Sequence, residues 1–306
     1  MSLGAARGQP SWDKEGRDWP NRDASRFVEA AGLRWHVQRM GRGPALLLVH
    51  GAAAATHSWR DLGPLLARRF TIVAPDLPGH GFTDPMAQGA LSLPGMARAL
   101  DALLNRLEIA PEIVVGHSAG AALLARLCID RRIAPRLLIA LNGALLPFDG
   151  IAGHFFPPLA KLLFLNPLAP RMFAWTADRA AVARLLRGTG STIDSAGIDF
   201  YARLMAAYGH VAGALGMMAN WDLETLARDL PKLTTPVALI VAKGDKAVPP
   251  AAAEKIAARL PHAQTQVLGG VGHLAHEERP QLIAERIFRL AEAAAAIAPA
   301  PVRLDA

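Results

Sequence analysis

The chain has 306 residues, 52% of them hydrophobic and 19% charged, which supplies ample material for a buried core and excludes a disordered chain. A formal charge of +7 and a pI near 10.2 favour anionic partners. The basic residues are nevertheless dispersed, mostly as single arginines on helical stretches, and no Lys/Arg block interleaved with aromatics appears, which argues against nucleic-acid binding. The lone cysteine, Cys128 in AALLARLCID, excludes an internal disulfide and suits a reducing compartment. Residues 1–16 lack the continuous apolar stretch of a signal peptide, so a cytoplasmic location is expected.

After a polar leader, residues 26–29 and 33–39 flank Ala31-Gly32 and predict an opening antiparallel hairpin. Short apolar runs then alternate with amphipathic stretches: ALLLV (45–49), TIVAP (71–75), EIVVG (112–116), RLLIAL (136–141), VALIVA (237–242) and TQVL (265–268). Continuous apolar strands separated by helices predict an α/β fold with a mostly parallel sheet covered by helices on both faces. Residues 146–235 break the alternation, with Pro147, Pro157, Pro158, Pro167 and Pro170 followed by helical patterns through Trp221 and Leu230. The expected organisation is a core of residues 1–145 with its leader, an inserted helical lid of residues 146–235, and a second core segment of residues 236–306 with a C-terminal tail. The greasy stretch 154–175 is interrupted by Lys161, Arg171 and prolines and is no spanning helix; with the positive charge it points to peripheral membrane contact. The Ala-rich end reads as a helix fraying into a disordered tail.

The strand EIVVG runs into Gly116-His117-Ser118-Ala119-Gly120 and then into helix-forming residues. A serine between two close glycines at a strand-to-helix turn fits a nucleophile elbow, whose small neighbours permit the tight turn that lifts the hydroxyl out of the sheet. Serine is a weak nucleophile at neutral pH and needs a base held by an acid. Asp245 follows VALIVAKG at the carboxyl end of a predicted strand, and His273 sits in the glycine-rich GGVGH loop after the next strand, giving the order Ser118, Asp245, His273. The loop after ALLLV and the residue after the serine place the backbone N–H groups of Ala52 and Ala119 as oxyanion donors. His50 reads as a support for that loop, Asp76 to Gly81 as a turn beside the site, and His276 as a packing residue. A metal site at His273 and His276 is disfavoured because the H-E-x-x-H arrangement is missing, and neither a dinucleotide fingerprint nor a bound cofactor is called for. Serine at the elbow also argues against the alkyl-enzyme chemistry of dehalogenases and epoxide hydrolases, which uses aspartate there.

The segments HG (50–51), DLPGHG (76–81), GHSAG (116–120), GD (244–245) and GH (272–273) resemble the α/β-hydrolase superfamily across nearly the whole chain. Further segments that the fold does not demand, among them DWPNRDASRFV (18–28), ATHSWRDL (55–62), LNGALLPF (141–148), TGSTID (189–194), MMANWDL (217–223) and GHLAHEERP (272–280), resemble the magnesium chelatase accessory proteins (BchO type) of bacteriochlorophyll biosynthesis. That resemblance implies work near the insertion of magnesium into protoporphyrin in a phototrophic bacterium, with magnesium chelatase as a partner and a porphyrin intermediate as an apolar ligand. Three functions are then open: a serine hydrolase of an apolar substrate, a non-catalytic porphyrin- or chelatase-binding protein on the same fold, and a general carboxylesterase. In the lid, Phe155, Phe156, Leu159, Leu162, Phe164, Met172, Phe173, Trp175, Met205, Met217, Met218 and Trp221 offer apolar, adaptable side chains, mostly for packing and in part for a broad pocket, with Lys161, Arg171 or Arg179 as candidates to pair with propionates.

Overall fold

The computed structural model describes residues 8–147, 166, 168–260 and 262–299. Its centre is one eight-stranded sheet of β1 (Ser25–Ala30), β2 (Leu33–Met40), β3 (Ala45–Val49), β4 (Thr71–Pro75), β5 (Ile113–His117), β6 (Leu137–Leu141), β7 (Val237–Ala242) and β8 (Gln264–Leu268), ordered β1-β2-β4-β3-β5-β6-β7-β8. The β1–β2 and β2–β4 pairs are antiparallel and the rest parallel. The hairpin turns on Ala31 and Gly32, both at positive φ, the geometry whose twist matches the flanking strands.

Strands β5, β6 and β7 are buried along their whole length because helices cover both faces. Alternate residues divide between two cores. Leu47, Val49, Val114, Leu138 and Leu239 face α2 (Leu93–Arg106) and α3 (Ala119–Ile129). Leu46, Leu48, Val115, Ile139 and Ile240 face α1 (Leu62–Leu66) and the helix Pro280–Ala293. The leader is not a free polar arm: Trp19 is buried, its indole N–H donates to Thr56 Oγ1 at 3.0 Å, and Trp12 and Trp19 both pack edge-on against Phe82. Residues 300–306, and with them most of the expected tail, lie outside the described residues.

Between β6 and β7 the chain forms α4 (Ala169–Thr176), α5 (Arg179–Gly188), α6 (Ser195–Met205), α7 (Tyr208–Ala219) and α8 (Leu223–Asp229). Three of these helices open on an aspartate whose carboxylate accepts an otherwise orphaned N–H: Asp178 from Ala181, Asp194 from Gly197 and Asp222 from Thr225. They pack on the core through Val182, Leu186, Tyr201, Met205, Val211 and Leu215, which gather around Ala54 and Leu274. The helices are also tied to the core by a buried ionic contact. Arg60 pairs with Glu277 of the short helix Ala275–Glu278 and donates to Asp194 at 3.0 Å, while the Tyr201 hydroxyl donates to Glu277 at 2.8 Å. Burial pushes the Glu277 carboxyl up to about 7 against the pull of the Arg60 guanidinium.

Removing one partner of a buried ion pair leaves the other uncompensated, so Arg60→Met is expected to cost about 3–5 kcal/mol at pH 8. The loss should shrink at pH 6, where Glu277 takes up a proton and no longer needs a cation. Denaturant melts of both proteins at the two pH values check this; an equal loss at both would show that Arg60 acts through packing.

Candidate active site

Ser118 stands between β5 and α3 (the helix opening at Ala119) with φ 51° and ψ −120°, a left-handed conformation that a non-glycine residue holds only under strain. Its neighbours must be glycine for reasons of space. A Cβ on Gly116 would lie 2.5 Å from the Ala121 nitrogen, and one on Gly120 would lie 2.3 Å from the Val49 carbonyl oxygen. Hydrogen bonds hold the turn, the Ser118 N–H donating to the Leu141 carbonyl at 3.0 Å and the Ser118 carbonyl accepting from Ala121 and Ala144 at 3.1 Å each.

Asp245 follows β7, its side chain fully buried. Oδ1 accepts from the N–H groups of Ala247 and Val248 at 2.8 and 2.9 Å, and Oδ2 accepts from His273 Nδ1 at 2.8 Å. Because a carboxylate only accepts, the proton sits on Nδ1 and the Nε2 lone pair is left to act as a base. The loop carrying His273 is fixed on every side. Asn142 Nδ2 donates to the His273 carbonyl at 2.8 Å and to that of Gly272 at 3.2 Å, while Asn142 Oδ1 accepts from Ala242 at 2.7 Å. His117 Nε2 donates to the same His273 carbonyl at 2.9 Å, and the two rings lie 4.6 Å apart. Glu278 accepts from the Gly272 N–H at 2.9 Å and Ser191 Oγ from that of Leu274 at 2.8 Å.

The structure thus joins His273 to Asp245 and sets Ser118 one residue from the ring that backs His273. Among the described residues the Ser118 hydroxyl makes no hydrogen bond, so its link to His273 is open, as is common until a ligand orders such a site. Ala52 and Ala119 line the same cavity as Ser118, and their amides donate to no carbonyl among the described residues. The alanine loop takes the turn that glycine often supplies, Ala53 standing at φ 61°. His210 of α7 holds it there: Nε2 donates to the Ala53 carbonyl at 3.2 Å, and Nδ1 accepts from Gly81 at 3.0 Å. His50 donates through Nδ1 to the Gly51 carbonyl at 2.8 Å and accepts from Leu77 at 2.9 Å, supporting the loop from beneath.

Asp76 is a buried support. It accepts from His36 Nδ1 at 2.8 Å and from the N–H groups of Thr56 and Phe82. Burial pushes its carboxyl up, but His36 and the Phe82 amide outweigh burial and hold it well below the usual carboxylate range. His276 packs between Trp59 and His117 at ring separations of 4.6 and 4.5 Å, and burial pushes its imidazole down to about 3. Among the described residues no three His, Cys, Asp or Glu side chains converge as metal ligands would.

Ser118 opens into a cavity of about 1130 Å³ between the core and the inserted helices, walled mainly by apolar side chains that include Phe173, Leu185, Met205, Met217, Met218 and Trp221. Of the apolar residues singled out by sequence, Met172 and Trp175 face solvent instead, and Phe155, Phe156, Leu159, Leu162 and Phe164 lie outside the described residues. Two of the three candidate cations are engaged elsewhere. Arg179 pairs with Asp199 and donates to Ser195 Oγ at 2.7 Å, Arg171 lies over the Tyr208 ring, and Lys161 is outside the described residues. Arg184 and Lys246 border the cavity in their place, with Asp222 and Glu224 also on its wall.

The sequence model described as the alpha/beta hydrolase family matches residues 46–286. Among solved structures, a serine hydrolase involved in carbazole degradation superposes with a TM-score of 0.71 at 19% identity, covering 88% of this chain and 98% of that one. A haloalkane dehalogenase loop variant from Bradyrhizobium elkanii gives 0.70 at 23%, covering 89% and 97%. Two different chemistries on one backbone show that these likenesses concern the fold alone. Among curated proteins, a pyrrolizixenacetamide deacetylase of Xenorhabdus hominickii is 26% identical over 261 residues, 82% of this chain and 93% of that protein. The magnesium-chelatase 30 kDa subunit of Rhodobacter capsulatus is 40% identical over 263 residues, 85% of this chain and 92% of its own length. The chain belongs to the alpha/beta hydrolase family and, within it, to the family of the magnesium-chelatase 30 kDa subunit.

Proposed function

We propose that this protein is a serine hydrolase that cleaves an ester or related acyl bond of a large apolar ligand, working as an accessory to magnesium chelatase in bacteriochlorophyll biosynthesis. The observation that carries the reading is the buried Asp245–His273 hydrogen bond beside a strained Ser118 at the wall of a large apolar cavity. In this reading His273 Nε2 takes the Ser118 proton as Oγ attacks the carbonyl carbon. Asp245 fixes the ring and stabilises the imidazolium, and the amides of Ala52 and Ala119 receive the oxyanion. His273 then protonates the leaving group, and water releases the acyl chain by the same steps in reverse roles. Acidic substituents of the ligand, such as porphyrin propionates, would meet Arg184 and Lys246.

The name of the Rhodobacter capsulatus relative supports the pathway assignment, and its description as a subunit supports association with magnesium chelatase. The same description, with the open Ser118–His273 link, favours a second reading in which the fold binds a porphyrin or the chelatase without catalysis. A fluorophosphonate probe separates the two. Labelling of the wild type that falls by at least about 10³-fold in Ser118→Ala, and that a magnesium porphyrin ester blocks, supports the hydrolase. No labelling, together with porphyrin binding that is unchanged in Ser118→Ala, would sink it in favour of the binding protein.

A further inference from the structure

Five of the six exposed large hydrophobic residues among those described lie on one short stretch, Leu168, Met172, Phe173, Trp175 and Leu185. Leu168, Met172 and Trp175 follow the i, i+4, i+7 spacing of a single helical stripe, and their exposures of 55, 62 and 89% are far from those of core residues. An apolar cluster of this kind on an otherwise polar surface marks a place that something else covers. Its charge says what. Residues 168–188 contain Arg171, Arg179, Arg184 and Arg187 against one acid, Asp178, which is committed to capping α5. Arg184 and Arg187 are exposed and have no hydrogen bond or ion pair among the described residues. A second copy of the chain is a poor occupant, because a two-fold contact would set these arginines against themselves.

We infer that α4 and the adjoining face of α5 dock on an anionic lipid surface, with Trp175, Met172 and Leu168 seated among the headgroups and Arg184 and Arg187 against lipid phosphates. Tryptophan suits that boundary because its ring is apolar and its N–H polar; a basic stripe beside an apolar one is how a helix lies on a bilayer without spanning it. No helix among the described residues is long and apolar enough to cross a membrane. The placement has a consequence for traffic into the cavity. Phe173, Thr176 and Leu185 of the same two helices line it, so the docked face puts its wall against lipid, and an apolar ligand passes from bilayer to protein without crossing water. The inference is independent of whether Ser118 is a nucleophile.

The test is co-flotation of the full chain with vesicles of phosphatidylcholine alone and of equal parts phosphatidylcholine and phosphatidylglycerol. The expected result is binding to the mixed vesicles only, weakened by added salt, reduced about tenfold by Trp175→Ala and further by Arg187→Gln. Trp175 is exposed, so its replacement should leave the melting temperature unchanged. Equal binding of wild type and Trp175→Ala, or no binding to either vesicle, overturns the inference. So does a dimer in solution that Trp175→Ala dissociates, which would make a second copy the occupant, or retention by magnesium chelatase subunits that Trp175→Ala abolishes while flotation is absent.

Discussion

Asp245→Asn is expected to lower the rate of fluorophosphonate labelling at Ser118 by about 10⁴-fold while barely changing the melting temperature. The asparagine carbonyl can still accept from the Ala247 and Val248 N–H groups that Oδ1 now serves, so the turn after β7 survives. The amide NH₂ then faces His273, where it can only donate. Nδ1 must become the acceptor, the proton moves to Nε2, and Nε2 loses the lone pair that would take the hydroxyl proton in the proposed mechanism. Asp245→Ala is a different experiment. It also leaves the buried Val248 amide unpaired, at a cost of about 1–3 kcal/mol, together with the half-buried Ala247 amide, and so mixes a folding defect with the chemical one. Second-order labelling constants for the wild type and both variants, with thermal melts of each, separate the effects. Wild-type labelling by Asp245→Asn would mean that the His273–Asp245 pair does not activate Ser118, and the hydrolase proposal would fall with it.

The sheet was legible because its central strands are buried on both faces and so run apolar without interruption, from ALLLV to VALIVA. The elbow was legible because its glycines flank Ser118 in one contiguous run after an apolar strand, although only Gly116 is forced by a local contact, with Ala121, and Gly120 is forced by the distant Val49 carbonyl. What the sequence hid are partnerships across long chain separations. Asn142 ties three backbone groups of the His273 loop and β7, yet its only local signal is an Asn-Gly pair after a strand, which reads as a turn. His117 occupies a variable position of the elbow pattern and earns its meaning only when His273 arrives from 156 residues away. The Arg60–Glu277–Tyr201 contact joins loop, core helix and inserted helix, and none of the three shows a pattern before folding. The two tryptophans of the leader were hidden for the opposite reason: the polar residues around them mask aromatic side chains that pack on Phe82.

The buried histidines make the fold sensitive to acid. Burial is the largest cause in each case: it drives His57, His80 and His117 well below the ordinary imidazole range, lowers His50, and brings His210 to about 4 and His276 to about 3. For His57 the neighbouring Arg60 adds repulsion, and neither ring nitrogen of His57 or His276 has a hydrogen-bond partner among the described residues. In the unfolded chain each of these groups takes a proton near pH 6.5, whereas in the fold it stays neutral. Below pH 6.5 the unfolded state therefore binds more protons, and stability falls with pH until each folded pKa is reached. Glu277 works the other way: its raised folded value, about 7, favours the fold as pH drops from there towards 4.5. It is one group against six. Each histidine costs about 1.4 kcal/mol per pH unit and a domain has only about 5–15 kcal/mol in total, so unfolding is expected between about pH 6 and pH 4.5. Circular dichroism across that range measures the midpoint. His276→Phe, which keeps a ring between Trp59 and His117 and removes one proton site, should move the midpoint to lower pH. A wild-type midpoint well below pH 4, or a midpoint that His276→Phe leaves unmoved, would shift responsibility from the histidines to the carboxylates, of which Asp76 is the most strongly held.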